Sequence, residues 1–231
     1  MKAVILAAGK GTRLGAITES IPKPLLEIKG LPILQHSVQR CVQDGIDTLF
    51  INTHHLGERI RELLGDGARF GATIHYSFEP ELLGTAGALR NFTQWLTDDD
   101  FFVIYGDNYF DYNLADIARF HRMKGGIGTV ALYEIEDVSH SGIAMLDTDQ
   151  RIQRFIEKPT PEETLSHLVN CGMYVLSPRI FSYIPDGASD FGKDIFPALL
   201  DSGEALYGMV HEGGLIPVDT LQMLSKARSS Q

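Results

Sequence analysis

Ala3-Val4-Ile5-Leu6-Ala7-Ala8-Gly9-Lys10-Gly11-Thr12-Arg13-Leu14-Gly15, with Pro22-Lys23-Pro24 a few residues on, is the stretch on which the reading of this chain turns. A short apolar run empties into glycines, which reads as a strand feeding a phosphate cradle. Gly9, Gly11 and Gly15 let the backbone take positive φ and bring N–H groups against an anion, Thr12 adds a hydroxyl, and Arg13 adds a planar fork of donors. Lys23, fixed between two prolines, supplies a second cation on a stiffened segment.

Spacing narrows the choice of cradle. A dinucleotide-binding turn needs G-x-G-x-x-G opening a helix, whereas this chain reads G-x-G-x-x-x-G and places prolines where the helix would run. A Walker-type loop needs Gly-Lys-Ser/Thr, and here Gly9-Lys10 is followed by Gly11. A plain joining turn would leave Arg13 and Lys23 unexplained.

Outward from this stretch, apolar runs alternate with helical patterns. Ala3 to Leu6, Thr48 to Asn52, Thr73 to Tyr76, Phe101 to Tyr105 and Thr129 to Tyr133 read as strands. Helices are expected from a first turn at Pro32 to Asp44-Gly45, over Leu56 to Leu64, over Gly84 to Leu96 and over Leu114 to Met123. Leu34, Val38, Cys41 and Val42 share one face of the first of these, so Cys41 is a core residue. The alternation predicts an α/β fold with a Rossmann-like, mostly parallel sheet flanked by helices, and ligands gather at strand C-terminal ends in such sheets. After about residue 134 the pattern turns irregular, with short strands near Ile143 to Leu146, Ile152 to Ile156 and Gly172 to Leu176. That half reads as a small second lobe of one 231-residue domain, with residues to about 133 as the half that carries the phosphate cradle.

Charge and cysteine usage remove whole classes. A net charge of −10 argues against a broad nucleic-acid surface, though Lys10, Arg13 and Lys23 suffice for one nucleotide. The two cysteines, Cys41 and Cys171, have no C-x-x-C or His/Cys ligand spacing, which points away from a disulfide framework or zinc site and toward a reducing cytoplasm. The N-terminal apolar run is too short for a signal peptide and nothing approaches a membrane span. Small molecules are the expected partners, and no feature decides between a monomer and a homo-oligomer.

Further candidates lie along the chain. Gly84 and Gly87 open a helix where a flat base could lie against the backbone, with Thr85 as cap or contact; a Gly/Ala-rich helix packed tightly on its sheet is the competing reading. Asp107 follows a strand in Gly106-Asp107-Asn108, a carboxylate beside a glycine that leaves room for a ligand. Asp219 follows the run Leu215 to Val218, as a metal ligand or as the cap of a last helix over Thr220 to Ala227. Glu157-Lys158 offers a carboxylate that can accept hydrogen bonds from a ligand's hydroxyls and an ammonium that can meet a phosphate. His54-His55 point apart and have no third ligand in sequence, so they read as loop residues.

Leu6-Ala7-Ala8-Gly9-Lys10-Gly11-Thr12-Arg13-Leu14 with Pro22-Lys23-Pro24-Leu25-Leu26 resembles the signature of the sugar-1-phosphate nucleotidyltransferases, over nearly the whole chain. The proline usual soon after the Arg-Leu is replaced here by Gly15-Ala16-Ile17-Thr18. The resemblance implies nucleotide binding by Ala7, Ala8, Gly9, Gly11, Thr12, Arg13, Gly84, Thr85 and Gly87, catalysis by Arg13, Lys23 and Asp107, and Mg²⁺ on Asp107 and Asp219. It also implies an acceptor held by Gly142, Glu157, Lys158 and Asn170, the last in Asn170-x-Gly172-x-Tyr174. Leu83-Gly84-Thr85-Ala86-Gly87-Ala88-Leu89 is spelled most like mannose-1-phosphate and heptose-1-phosphate guanylyltransferases, which leans toward GTP. Glucose-1-phosphate thymidylyl or uridylyl transfer, a phosphocholine-type cytidylyltransferase and a non-catalytic nucleotide-sugar sensor stay open as alternatives.

Overall fold

The structure, a computed structural model, describes residues 1–212, 215–218 and 220–229. Its strands in chain order are β1 (Lys2–Leu6), β2 (Glu27–Ile28), β3 (Leu31–Pro32), β4 (Thr48–Thr53), β5 (Thr73–Phe78), β6 (Phe101–Tyr105), β7 (Asn108–Phe110), β8 (Gly128–Glu134), β9 (Gly142–Leu146), β10 (Ile152–Glu157), β11 (Leu168–Leu176), β12 (Leu206–Val210) and β13 (Leu215–Pro217). The α-helices are α1 (Ile17–Ser20), α2 (Ile33–Gln43), α3 (Gly57–Leu64), α4 (Gly84–Gly87), α5 (Leu114–Lys124), α6 (Phe196–Asp201) and α7 (Leu221–Ser229). None of these helices is long and apolar enough to cross a membrane. The chain forms two compact units, one of residues 1–82, 104–114, 215–218 and 220–229, the other of residues 83–103 and 115–212.

The first unit is built on parallel strands. β1 pairs with β4 from Ala3↔Leu49 to Leu6↔Asn52, and β4 pairs with β5 from Thr48↔Thr73 to Thr53↔Phe78. Parallel neighbours need crossovers, and α2 and α3 supply them. α2 forms because Ile33, Leu34, Ser37, Val38 and Cys41 recur at helical spacing and all are buried. It stops at Asp44, with Gly45 beyond it at φ 79°. Pro32 stands at the N-cap, one position before the first turn in which the sequence puts it, because its ψ of 140° is extended. Burial pushes the Cys41 thiol up to about 12, with Asp44 adding to the shift, so it is an inert core group. Leu14, Leu26, Ile28, Ile33, Tyr109, Val218, Leu224 and Ala227 form one apolar cluster, bringing β7, β13 and α7 against the N-terminal segment.

In the second unit pairing is mostly antiparallel. β8 runs antiparallel to β11 and parallel to β12, while β9 and β10 form a hairpin from Ile152↔Leu146 to Glu157↔Gly142. β11 starts at Leu168, earlier than its expected start at Gly172, because its register shifts between Asn170 and Tyr174 instead of ending there. The bulge absorbs Gly172 at φ 69°. The helix expected over Gly84 to Leu96 is one α-turn followed by 3-10 winding over Ala88–Trp95. Its first donors do not face solvent: the N–H groups of Ala86 and Gly87 both point to the Ser189 carbonyl, at 2.9 and 3.2 Å.

Candidate active site

In the first unit the cradle leaves β1 and turns at Gly11 and Gly15, whose φ values are 63° and 62°. Both are conformations an L side chain rarely adopts. Gly9 does not take a positive φ, contrary to expectation, and nothing lies within 4 Å of where its Cβ would stand. Thr18, buried, closes the loop from inside: its Oγ1 lies 3.1 Å from the Gly11 carbonyl and 3.0 Å from that of Gly15, sharing one proton between them. A methyl at Gly11 would stand 3.0 Å from both Thr18 Cγ2 and Lys23 Cβ, so the loop is braced on the segment that carries the second cation.

Lys23 is 5% exposed, and its Nζ donates to Asp107 Oδ2 at 2.6 Å. A buried ammonium needs such a partner, since desolvating it unpaired costs several kcal/mol. Asp107 arrives at the end of β6, where Gly106 N–H donates to the Leu6 carbonyl at 2.9 Å. The space beside Gly106 is taken by Ile5, the Leu6 carbonyl and Leu34, so this glycine admits β1 rather than a ligand. Two sequence candidates eighty-four residues apart thus meet as an ion pair beside the cradle. Asp219 and the side chain of Arg13 lie outside the described residues.

Two residues that sequence reasoning missed support the same loop. Ala7 N–H donates to Asn52 Oδ1 at 2.8 Å, and Asn52 Nδ2 donates to Glu79 Oε1 at 2.8 Å. Asn52 is 2% exposed and Glu79 1% exposed. The faint signals were a lone Asn ending an apolar strand and a Glu held before Pro80. Beside them a cleft of about 480 Å³ is lined by Lys10, Thr12, Gly15, Thr18, Glu19, His54 and His55, a size suited to a small-molecule ligand. His54 Nδ1 lies 2.7 Å from the Glu79 carbonyl, which can only accept, so Nδ1 carries the proton.

The acceptor candidates all fall in the second unit. Glu157 ends β10 between two glycines: a methyl at Gly142 would stand 2.6 Å from its Oε2, and one at Gly192 2.5 Å. Burial raises the Glu157 carboxyl above its ordinary value, Lys158 and then Lys193 pull it back, and Asp190 adds to the rise. Lys158 is exposed at φ 53°, and its N–H donates to the Ser141 carbonyl at 3.1 Å. Asn170 is anchored by its own motif, with Nδ2 donating to Tyr174 Oη at 2.7 Å and Oδ1 accepting from Gly172 N–H at 2.8 Å. Tyr174 packs edge-on in turn against Phe191 and Phe196 in a buried aromatic group.

Gly84, Thr85 and Gly87 also have clear structural duties. A Cβ at Gly84 or Gly87 would overlap backbone atoms of Ser189 or Gly187, and close backbone approach alone requires both glycines. The Thr85 hydroxyl donates to Asp190 Oδ1 at 3.1 Å and accepts from Phe191 N–H at 2.9 Å. Asp190 is therefore a tie between α4 and the 189–196 stretch.

Comparison with known proteins matches this architecture. The nucleotidyl transferase family model covers residues 2–215, and the chain belongs to that family. It is 40% identical over 223 residues to the UTP–glucose-1-phosphate uridylyltransferase of Synechocystis, covering 90% of this chain and 58% of that protein. It is 37% identical over 217 residues to the mannose-1-phosphate guanylyltransferase catalytic subunit beta of Danio rerio, covering 92% and 59%. The chain thus spans less than two thirds of the length of these relatives. Among solved structures, a putative glucose-1-phosphate thymidylyltransferase from Bacillus anthracis superposes with a TM-score of 0.89 at 28% identity, covering 99% of this chain and 94% of that one. HddC from Yersinia pseudotuberculosis complexed with GMP-PN superposes at 0.82 with 24% identity, covering 98% and 97%, a likeness of fold.

Proposed function

We propose that this chain transfers a nucleotidyl group from an NTP to a sugar 1-phosphate, releasing pyrophosphate, with GTP and a manno-configured sugar as the first substrates to test. The observation that carries the reading is the buried Lys23 paired with Asp107 against a positive-φ glycine cradle. No serine or cysteine nucleophile is required, because the acceptor's phosphate already carries an anionic oxygen. That oxygen attacks the α-phosphorus in line, the new P–O bond forming as the bond to the β-phosphate oxygen breaks, and pyrophosphate leaves with the electron pair.

Each cluster has a part. Backbone N–H groups from Ala8 to Thr12 hold the triphosphate, with the neighbouring cleft accepting its far end, and Arg13 retains the departing pyrophosphate. Lys23 opposes the charge that builds on the α-phosphate, in a buried setting where one ammonium counts for more than in water. In the second unit, Glu157 accepts hydrogen bonds from sugar hydroxyls, Lys158 meets the sugar phosphate, and Gly142 and Asn170 shape the surroundings. The sequence lean would put the base at Gly84 to Gly87.

Mg²⁺ fits the donor chemistry: Asp107 is a part-exposed carboxylate, and a hard cation bound through one or two carboxylates takes its other oxygens from substrate phosphate and water. Asp107 and Asp219 would hold it. When bound, the ion neutralises charge on the α-phosphate and the leaving pyrophosphate.

Uridylyl transfer to glucose 1-phosphate is the second reading, favoured by the 40% identity to the Synechocystis protein. The GTP reading draws on the Leu83 to Leu89 spelling and the 37% identity to a guanylyltransferase subunit. The cytoplasm, where NTPs are held, is the compartment proposed. Pyrophosphate release over GTP, UTP, dTTP, CTP and ATP against mannose, glucose, heptose and N-acetylhexosamine 1-phosphates and phosphocholine, with and without EDTA, tests all of this. One strong Mg²⁺-dependent pair fixes the reaction, and silence across the grid while nucleotide binds supports a regulatory role instead.

A further inference from the structure

We propose that Asn52 and Glu79 are positioning residues that set the direction of the cradle through a polarised hydrogen-bond chain, Ala7 N–H to Asn52 Oδ1 and Asn52 Nδ2–H to Glu79 Oε1. The links are 2.8 Å each and both side chains are almost wholly buried. They join the ends of three adjacent strands, β1, β4 and β5, at the edge where the cradle begins.

The direction of the chain follows from donor and acceptor inventory. Ala7 N–H can only donate, and an ionised carboxylate can only accept. An amide between them has one orientation that satisfies both neighbours, and flipping it would set N–H against N–H and carbonyl oxygen against carboxylate. Glu79 is itself fixed on both sides of its backbone: its N–H donates to the Thr53 carbonyl at 2.8 Å, and its carbonyl meets His54 Nδ1 at 2.7 Å. Three consecutive residues of β4 and its exit, Asn52, Thr53 and His54, therefore hold one residue at the end of β5. Through Asn52 that hold reaches Ala7, one residue before the backbone that the cradle offers to phosphate. With its N–H committed to Asn52, Ala7 is the hinge pin, and the donors presented to a ligand start at Ala8. This inference rests on the cradle's assignment to the nucleotide.

Inverting the polarity of the chain tests it. Asn52→Asp places a carboxylate against Glu79 and removes the donor. The pair Asn52→Asp with Glu79→Gln restores a complete chain, since the amide introduced at position 79 can donate to one oxygen of the carboxylate introduced at position 52 while the other oxygen accepts Ala7 N–H. Expected for Asn52→Asp is a rise of about tenfold in NTP KM with acceptor KM little changed, and amide hydrogen exchange at least about tenfold faster in the peptide covering residues 6–14. The double variant should return both to within about threefold of the parent. Glu79→Gln alone, nearly isosteric, should give an intermediate rise and serves if Asn52→Asp does not fold. Unchanged exchange over 6–14 in folded variants overturns the chain, as does a double variant no better than Asn52→Asp. Faster exchange with unaltered NTP KM and nucleotide affinity would retain the bracing and overturn the cradle's nucleotide role instead. A merely structural part would lower melting temperature and active fraction without separating the two KM values.

Discussion

Replacing Gly142 by alanine should strike the acceptor side alone. The added methyl would stand 2.6 Å from Glu157 Oε2 and 2.7 and 2.8 Å from two Phe155 ring atoms. The ring has little room to retreat, being 6% exposed and packed edge-on against Phe196 at 5.0 Å between centroids. The carboxylate cannot shift toward Gly192 either without losing clearance there, so it must leave its slot. Overpacking of this kind costs roughly 1–3 kcal/mol of stability. Losing one hydrogen bond between a charged carboxylate and a sugar hydroxyl removes about 1.5–3 kcal/mol, or about 10- to 150-fold in acceptor kcat/KM. Initial rates with the acceptor varied at saturating NTP, and the reverse, read the split, with a melting curve to verify folding. Gly192→Ala should copy the pattern. A folded Gly142→Ala enzyme with normal acceptor kcat/KM, or with both substrates impaired equally, would refute the placement of Glu157 in sugar binding.

Asp107→Asn should lose most turnover, and near-normal rates at saturating Mg²⁺ would remove the metal assignment; it should also cost stability, less than the ~3–5 kcal/mol of a fully buried broken pair because Asp107 is 34% exposed. Glu157, with its carboxyl raised by burial, should protonate above its ordinary 4.5, so acceptor kcat/KM should fall from a pH higher than 4.5 as acid is added, and Glu157→Gln should flatten that limb. His121 and His211 are both held below their ordinary 6.5, chiefly by burial, so they bind protons less readily folded than unfolded. Their contribution is complete above 6.5 and is lost as pH falls below it, and urea unfolding of the parent and of His121→Gln at pH 7.5 and 5.5 reads the difference as a shallower pH slope in the variant. Thr85→Val deprives Phe191 N–H of its acceptor and should cost about 1–3 kcal/mol, seen as a lower denaturant midpoint.

What the sequence exposed was governed by local chemistry. Strand β6 follows from a continuous apolar run and the buried face of α2 from apolar residues at period 3.6, and the turns at Gly11 and Gly15 and the stiffened segment of Lys23 are legible because glycines and prolines punctuate them. Pairing was not legible. Nothing in the spelling of Gly106-Asp107 says that its carboxylate will meet Lys23, and Gly106 looks like room for a ligand until Ile5, Leu6 and Leu34 fill it. Asn170-x-Gly172-x-Tyr174 looks like a ligand motif, yet its amide also closes a strand bulge on itself. Asn52 and Glu79 escaped for the same reason: each is an ordinary polar residue at a strand end, and only tertiary contact makes them a chain. The expected helix from Gly84 to Leu96 shows propensity yielding to packing, because the backbone of residues 187–189 comes close enough to claim its first donors.

The apolar cluster of Leu14, Leu26, Ile28 and Ile33 with Val218, Leu224 and Ala227 has a consequence for the order of biosynthesis. The early members leave the ribosome soon after the first strand, Tyr109 follows midway, and the rest of their cover, Val218, Leu224 and Ala227, is encoded almost two hundred residues later. At ordinary elongation rates that interval lasts on the order of ten seconds or more, far longer than a strand or helix needs to form. During it, a nascent chain carries an uncovered apolar patch next to its glycine cradle. A substitution such as Leu224→Ser would therefore act twice, once on the finished fold and once on the yield of chains that reach it.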